Sequence, residues 1–317
     1  MPTERRNFIV IEVLLGILAI FCAVMLVRGN VTPKMKKIAV ILDDSEGEEW
    51  NALKHGMREA ALEEGITLDF VGTDHFETVA EEEEVCKAAI EDGAEGLVVY
   101  PFIGNDGEEL TAGSVPYVAV KSRNASFPVV EADNYAMGES LAQAILEDYS
   151  GNLEAKKVGF ILNNKNDEAE SERLRGIQDA LENSGYKTLW FFGSEPTKTV
   201  NQISDLTKEV DIIIALDDGS LSLAGELSSN RKLHGAVVYG IGNSASNFYY
   251  LDTEAIRAIT VPDMFQMGYH SIMSISKLTS FPSRKPGDTV VKYKTLRQKD
   301  LFLPKNQEVL YGLGLNS

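Results

Sequence analysis

Apolar residues in this chain are grouped in two ways, as short continuous runs and as longer stretches with helical spacing. Residues 38–42 (IAVIL) and 96–100 (GLVVY) are short and rich in β-branched side chains, which is typical of strands buried on both faces. Residues 48–64 instead repeat apolar positions every three or four residues, which predicts a helix that ends at Gly65. This alternation predicts a parallel sheet covered by helices on both faces.

The same alternation continues through the chain. Further strands are predicted over residues 66–71, 116–120, 127–130, 157–162, 188–192, 210–216, 236–239 and 258–261, and further helices over residues 79–91, 135–146, 168–183, 221–227 and 264–278. The pattern breaks near residues 123–128 and then starts again. We therefore predict an α/β protein with two doubly wound parallel-sheet lobes. Ligands of such sheets bind at the carboxyl ends of the strands, which two lobes can turn towards a shared cleft.

A long apolar stretch, residues 8–27, precedes the lobes and is interrupted only by Glu12. It can cross a bilayer as one helix if Glu12 lies near the interface, and the two arginines before it are typical of a secretory signal. A retained signal anchor, a cleaved signal peptide and a lipoprotein modified at Cys22 are all open. We favour the anchor because no Ala-x-Ala cleavage site is present and Cys22 follows the bulky Phe21.

The charge of the chain is strongly negative and unevenly distributed. The 317 residues include 48 Asp and Glu against 30 Lys and Arg, a formal net charge of −18. Residues 1–37 hold six basic and two acidic residues, so the remainder carries −22. Because phosphate contacts need a basic face, this acidity excludes nucleic acid as a partner. A content of 44% hydrophobic and 25% charged residues is that of a globular protein.

Polar and aromatic side chains follow several predicted strands at the end where ligands bind. The candidate ligand contacts are Asp43, Glu46 and Trp50 after the first strand, Tyr100 after the third, Lys121 and Arg123 after the fourth, and Arg173, Asp217 and Asn243 in the second lobe. Carboxylates and amides hydrogen-bond to hydroxyl groups, and aromatic faces cover C–H surface, so this set suits a small hydroxyl-rich ligand. The same residue types also serve simply as caps and turn residues.

The sequence contains no motif for catalysis, nucleotide binding or metal binding. Its four histidines lie outside HExxH patterns and Gly-x-Ser-x-Gly elbows, and neither GxxxxGK[ST] nor a strand-linked GxGxxG occurs. The two cysteines, Cys22 and Cys86, are too few for a disulfide scaffold or a thiolate zinc site. We therefore predict no catalytic residue, no metal site and no cofactor.

Six short motifs occur in an order that points to one family. They are residues 37–44 (KIAVILDD), 115–120 (VPYVAV), 131–134 (EADN), 171–177 (SERLRGI), 214–218 (IALDD) and 266–268 (QMG). With these motifs, residues 37–298 resemble the ribose-binding-protein type of periplasmic solute receptor, the type 1 periplasmic binding protein fold. The same fold forms the core of lactose-repressor-like regulators.

The resemblance implies an interleaved organisation and roles for the candidate residues. After the N-terminal signal anchor and tether of residues 1–35, it implies a first lobe over 36–127 plus 262–290 and a second over 128–261 plus 291–317, joined by a hinge. It places Trp50, Lys121, Arg123, Arg173 and Asp217 against the ligand. Two departures alter the expected pocket: Gly242 replaces a common Asp, and Pro262 lies where a polar contact is usual.

The function implied is that of a membrane-anchored receptor outside the cytoplasm, which closes on a sugar or polyol. Its partner would be the permease of an ABC importer. A membrane sensor kinase is the alternative partner, because a membrane-spanning anchor could hold the receptor beside such a kinase. A transcriptional regulator is excluded, since an apolar span occupies the place of the DNA-binding domain.

Overall fold

The computed structural model of this protein describes residues 13–22, 35–102, 110–111, 113–121, 127–162, 167–193, 210–281 and 286–306. The chain divides into two units, residues 1–36 and 37–317. In the first unit, residues 13–22 form helix α1, on which every side chain is exposed. No helix within the described residues is long and apolar enough to cross a membrane. The predicted span 8–27 lies only partly within them.

The second unit alternates strands and helices as predicted. Its strands are β1 (Lys36–Ile41), β2 (Ile66–Phe70), β3 (Gly96–Val99), β4 (Tyr117–Val120), β5 (Val129–Ala132), β6 (Lys157–Leu162), β7 (Lys187–Gly193), β8 (Ile212–Ala215), β9 (Val237–Ile241), β10 (Ala258–Pro262), β11 (Thr289–Val291) and β12 (Tyr293–Leu296). Its helices are α2 (Asn51–Glu64), α3 (Val79–Glu91), α4 (Asn134–Asp148), α5 (Glu168–Leu181), α6 (Asp218–Ser229), α7 (Ala245–Asp252) and α8 (Met264–Ser280). Short 3-10 turns occur at Glu48–Trp50, Glu182–Ser184 and Gln298–Asp300.

The strands form two six-stranded sheets with corresponding strand orders. The first sheet runs β11-β5-β4-β3-β1-β2 and the second β12-β10-β9-β8-β6-β7. The pairs β1–β3, β3–β4, β4–β5 and β5–β11 are parallel, as are β6–β7, β6–β8, β8–β9 and β9–β10. Among the strand pairs for which the structure gives a register, only the pair β10–β12 is antiparallel. Two α/β lobes with mostly parallel sheets are thus present, as predicted.

One strand lies in a different sheet from the one that the predicted boundary implies. A boundary after residue 127 assigns β5 to the second lobe, but β5 pairs with β4 and β11 in the first sheet. A parallel pair normally needs a connection of a dozen or more residues. Only residues 121–128 separate β4 from β5, and so short a connection indicates that the two strands belong to different sheets. In the structure they pair with each other, and the chain passes to the second sheet only after β5.

Close helix contacts through glycine occur in both lobes. A Cβ atom at Gly56 of α2 would lie 2.0 Å from the carbonyl oxygen of Phe265 in α8, and one at Gly268 would lie 2.0 Å from that of Leu53. In the second lobe, α4 and α5 meet in the same way at Gly138 and Gly176. A Cβ at Gly138 would lie 2.2 Å from the carbonyl oxygen of Arg173. These contacts hold the helices, and with them Arg173, at fixed positions beside the sheets.

Candidate functional site

A cavity of about 130 Å³ lies where the carboxyl ends of the two sets of strands meet. Its first-lobe lining is Asp43, Glu49, Trp50, His75, Tyr100 and Lys121, and its second-lobe lining is Asp167, Ala169, Glu170, Arg173, Asp217, Asp218 and Gly219. The lobes also touch directly beside it, since Asn243 Nδ2 donates to the backbone oxygen of Glu49 at 2.7 Å. The cavity is therefore an interlobe site, as the fold predicts.

On the first-lobe side, two aromatic rings hold an ammonium group. The ring centroids of Trp50 and Tyr100 lie 5.2 Å apart, and Trp50 is only 1% exposed. Lys121 Nζ lies 4.8 Å from the Trp50 centroid and 5.5 Å from that of Tyr100, within the range of a cation–π interaction. The same ammonium forms an ion pair with Glu49 Oε2. We call these four side chains the aromatic cage.

The ionisation of the cage reflects an excess of negative charge around it. Burial alone would lower the pKa of Lys121, but its interaction with Glu49 and the charge of Asp218 raise that pKa, so the ammonium keeps its proton. Burial raises the pKa of Glu49, and the charges of Asp218 and Asp217 add to this effect against the opposing Lys121. Burial likewise raises the pKa of the Tyr100 hydroxyl.

Arg173, on the second-lobe side, donates hydrogen bonds to other residues of its own lobe. It is buried, its Nε donates to Asn134 Oδ1 at 2.9 Å, and its Nη1 donates to the backbone oxygen of Leu216 at 2.8 Å. These two bonds tie α5 to α4 and to the end of β8. Arg173 therefore lines the cavity while also holding three elements of the second lobe together.

The neighbouring carboxylates begin helices. Asp217 is the N-cap of α6, since its Oδ1 accepts from the backbone N–H of Ser220 at 2.9 Å. Burial raises the pKa of Asp217, an effect that the bonds from Ser220 oppose. Asp167 caps α5 in the same way, by accepting from the backbone N–H of Ala169 at 2.7 Å. The helix N-termini α5 and α6 thus both face the cavity.

Asp218 fills the space beside Gly242. Its Oδ1 accepts from the backbone N–H groups of Asn243 and Ser244, at 2.5 and 2.9 Å, and from Asn247 Nδ2 at 3.0 Å. A Cβ at Gly242 would lie 2.8 Å from that same oxygen. A side chain at position 242 would therefore crowd the ends of the Asp218 and Asn247 side chains, and Asp218 already supplies a carboxylate at this point.

Six of the nine predicted contacts line the cavity. They are Asp43, Trp50, Tyr100, Lys121, Arg173 and Asp217. Asn243 instead lines an adjoining groove of about 370 Å³ with Phe248. Glu46 is not brought to the cavity, because its side chain is 89% exposed. Arg123 lies outside the described residues. Their roles as ligand contacts stay predictions.

Five further polar residues complete the lining. They are Glu49, His75, Asp167, Glu170 and Asp218. Glu49 directly precedes Trp50, and Asp218 directly follows Asp217, so strand-end position alone could have indicated both. Glu170 precedes Arg173 by three residues and so lies on the same face of α5. His75 arrives through a tertiary contact, in which its Nδ1 lies 3.1 Å from Asp43 Oδ2. Asp43 is held there by accepting from the backbone N–H of Phe76 at 2.7 Å.

Within the part of the chain that the structure describes, no group of His, Cys, Asp and Glu side chains could hold a metal ion. The described lining of the cavity can act through hydrogen bonding and charge. It offers carboxylates, one guanidinium, one ammonium and two aromatic rings in a small enclosed space. Such a set can bind a small polar molecule, and the described lining contains no serine or cysteine nucleophile beside a base.

The sequence and the fold were compared with those of known proteins. Solved structures with the same fold include GanP, a glucose-galactose binding protein from Geobacillus stearothermophilus, with 19% identity and a TM-score of 0.72 over 85% of this chain and 100% of GanP. A carbohydrate transporter solute binding protein from Agrobacterium radiobacter, in complex with D-arabinose, has 17% identity and a TM-score of 0.75 over 88% of this chain and 100% of that one.

A third similar structure is the XylFII-LytSN complex, with 16% identity and a TM-score of 0.68 over 85% of this chain and 100% of the matched one. Identities this low establish the fold alone. A comparison with curated protein sequences gives no match. The sequence itself matches the family described as the periplasmic binding protein domain over residues 38–281. This chain therefore belongs to the periplasmic binding protein family, with the type 1 fold.

Proposed function

We propose that the protein is a membrane-anchored receptor outside the cytoplasm that closes its two lobes around a small, sugar-like ligand. The observation that carries this proposal is the cavity itself, lined from both lobes at the strand ends. Its volume of about 130 Å³ is close to the roughly 150 Å³ of a cavity that accommodates a benzene ring. A small polyol therefore fits this cavity as it stands, and a monosaccharide, with about twice as many heavy atoms as benzene, requires the lobes to part.

Lobe closure is supported by the way the chain passes between the sheets. Lys292 alone separates β11 in the first sheet from β12 in the second. Its backbone oxygen accepts from the N–H of Asp263, which follows β10, at 2.9 Å. Two crossings thus lie side by side and can bend together, which is the arrangement of a hinge between domains.

The proposed partner is an ABC importer that recognises the closed form. The glucose-galactose and D-arabinose proteins of the same fold support a sugar as the transported solute. A sensor kinase is the alternative partner, favoured by the XylFII-LytSN complex among the similar structures. In a strain lacking this chain, loss of labelled ligand uptake would support transport. Normal uptake with loss of a ligand-dependent kinase response would support sensing.

Ligand binding is tested by thermal unfolding of the full chain in mild detergent with a panel of monosaccharides and polyols. A ligand at 100 times its Kd should add about 2.7 kcal/mol, which raises the Tm by several degrees in a protein of this size. Gly219→Leu should weaken binding about tenfold or more, because the new side chain points into the lining, where the nearest atom to its Cβ is Asp217 Oδ1 at 3.5 Å.

The matched control is Gly72→Leu, at an exposed position with no atom within 4 Å of a Cβ. Gly72→Leu should leave the Tm shift unchanged. An unchanged Tm across the whole panel would contradict the proposed function. An unchanged ligand affinity in the Gly219→Leu variant would indicate that the ligand does not bind in this cavity.

The anchor is tested with Cys22→Ser. A retained membrane-spanning anchor predicts that this variant stays in the membrane fraction after alkaline carbonate washing, with the intact mass of the full chain. Release of the variant, but not of the wild type, would indicate a lipid on Cys22. A shortened mass in both would indicate a cleaved signal peptide.

A further inference from the structure

A side-chain amide connects the two lobes directly beside the cavity. Asn243 follows β9 in the second lobe, and its Nδ2 donates to the backbone oxygen of Glu49 in the first lobe at 2.7 Å. Neither residue belongs to the segments in which the chain crosses from one sheet to the other. The bond can therefore break without any change in secondary structure, and it exists only while the lobes are closed. We call it the interlobe bond.

The second lobe holds the donor of the interlobe bond in place. Asp218 Oδ1 accepts from the backbone N–H of Asn243 at 2.5 Å and from that of Ser244 at 2.9 Å. The same oxygen accepts from Nδ2 of the buried Asn247 at 3.0 Å. Ser244 is in turn the N-cap of α7. All of these residues belong to the second lobe, so the backbone of Asn243 keeps its position when the lobes part.

The first lobe holds the acceptor in a similar way. Glu49 lies in the 3-10 turn between β1 and α2, and its side chain forms an ion pair with Lys121. The next residue, Trp50, is 1% exposed, and its Nε1 donates to the backbone oxygen of Asp43 at 3.0 Å. Because both partners are ordered within their own lobes, the interlobe bond forms at little cost in conformational entropy.

The interlobe bond also decides the orientation of the Asn243 amide. Asn243 Oδ1 is buried and has no hydrogen-bond partner among the described residues. Turning the amide over would place this oxygen against the backbone oxygen of Glu49, and two acceptors repel each other. An unsatisfied buried acceptor is itself unfavourable. The amide therefore adopts the orientation that serves the contact between the lobes, although its own oxygen stays unpaired.

Charges across the cleft do not favour closure in the same one-sided way. Burial lowers the pKa of Lys121, whereas Glu49 and the charge of Asp218 raise it, so Asp218 attracts this ammonium. Burial raises the pKa of Glu49, and the charge of Asp218 adds to that rise, so Asp218 repels this carboxylate. Since Lys121 and Glu49 form an ion pair, the two effects oppose each other. The interlobe bond, by contrast, favours only the closed form.

Resting on the lobe closure of the proposed function, we infer that Asn243 is a positioning residue that acts through Glu49 to keep a fraction of the receptor closed in the absence of ligand. One neutral hydrogen bond changes such an equilibrium about fivefold. A preformed closed fraction raises the apparent affinity for a ligand that the closed form binds better. It also presents the closed form to a membrane partner before ligand arrives.

Double electron–electron resonance tests this inference on the ligand-free full chain in mild detergent at pH 7.5. Spin labels are attached at Leu62→Cys and Glu226→Cys, one exposed position in each lobe. Cys22→Ser removes the exposed native cysteine, and Cys86 is buried. With Asn243 present, part of the distance distribution should match the separation of the two positions in the structure, and the remainder should lie at longer distances.

Three substitutions in this labelled chain locate the cause of closure. Asn243→Ala removes the amide and should lower the ratio of closed to open protein about fivefold. Asn243→Asp has the same shape but places a carboxylate against the Glu49 oxygen, so it should lower the ratio about tenfold or more. Asn51→Asp, the matched control, adds the same charge at an exposed position of the adjoining groove and should leave the ratio unchanged.

Several outcomes would overturn the inference. A ligand-free chain with Asn243 intact that shows only the longer distances would do so, as would an unchanged ratio in Asn243→Ala. Equal falls in Asn51→Asp and Asn243→Asp would indicate that added charge, and not the lost bond, moves the lobes. Circular dichroism and the Tm of each variant establish that it is folded. Because no ligand is used, a negative result leaves the proposed function standing, and that function is tested separately by the ligand panel.

Discussion

The two lobes repeat one packing scheme but present different chemistry to the cavity. Their sheets have corresponding strand orders, and in each lobe two helices meet through a pair of glycines. The first lobe contributes aromatic rings and an internal ion pair. The second contributes helix-capping carboxylates and an arginine that is held by its own lobe. The packing is thus shared by the two lobes, whereas the residues after the strands are particular to each lobe.

The largest effect is expected where the two lobes are most alike. Gly56→Val and Gly176→Val each place a Cβ within about 2.0–2.1 Å of a backbone oxygen in the facing helix, which no side-chain rotation can relieve. Each should lower the free energy of unfolding by about 4 kcal/mol or more, measured by urea unfolding. Gly72→Val is the control, at an open position. A fall no larger than that of the control would contradict the close approach in that lobe.

Replacing Arg173, the cation that the second lobe contributes to the cavity lining, should lower stability more than replacing Lys121 of the first lobe. Arg173→Met leaves two buried acceptors, Asn134 Oδ1 and the oxygen of Leu216, without these donors. Each unsatisfied group costs about 1–3 kcal/mol, so a loss of about 3 kcal/mol is expected in urea unfolding. Arg173→Lys should restore little of it, since an ammonium cannot reproduce the forked geometry. Full stability of Arg173→Met would show that its role is confined to the ligand.

The stability of the protein should depend on pH through a buried carboxyl group in the first lobe that lies outside the cavity lining. Glu82 is 0% exposed and its Oε2 accepts from the backbone N–H of Phe102 at 2.9 Å. Burial raises the pKa of Glu82 to about 8. The folded protein therefore binds a proton more tightly than the unfolded chain does, and stability should fall as the pH rises from about 4.5 to about 8.

Glu82→Gln removes that titrating proton, so its stability should vary less over this interval. At pH 9 the variant should exceed the wild type by an amount on the order of a few kcal/mol, measured by urea unfolding across the pH range. Glu81→Gln, an exposed neighbour on α3, is the matched control. Parallel pH profiles for the wild type and Glu82→Gln would show that Glu82 is already ionised in the folded protein.

The smallest loss of stability is expected from replacing Lys121, the cation that the first lobe contributes to the cavity lining. Lys121→Met breaks the ion pair with Glu49, but Glu49 has a raised pKa and can take up a proton. A loss of about 1 kcal/mol is expected at pH 8. Because the folded-state pKa of Glu49 lies above its unfolded value, this loss should shrink as the pH falls towards 5. A deficit independent of pH would indicate that the cation–π contacts, and not the ion pair, carry the stabilisation.

Much of the fold could be predicted because buried parallel strands and amphipathic helices are local patterns. Strand β6 and helix α3 begin and end where the sequence predicts. Helix α7 was not predicted, because it is short and its capping residue Ser244 lies in a stretch that resembles a loop. The sheet to which β5 belongs also could not be predicted. Backbone pairing between distant strands decides it, and a short connection concealed that pairing.

The sequence could indicate which residues line the cavity where they directly follow strands, but not where the direction of a side chain decides. Asp43 and Glu46 lie on the same loop, yet the first lines the cavity and the second points to solvent. A loop places neighbouring side chains in different directions, and no local pattern in the sequence encodes which one turns inwards. His75 reaches the cavity only because its loop hydrogen-bonds to Asp43.

The sequence by itself determined the alternation of strands and helices, the family, the acidity of the chain and the set of residues at the strand ends. Each of these depends on composition or on short-range order. Only the tertiary structure decided that Lys121 fills the aromatic cage, that Arg173 is tied to its own lobe, and that carboxylates capping two helices share one wall of the cavity. These are contacts between residues far apart in the chain, and their free energies depend on distance and burial, which arise only on folding.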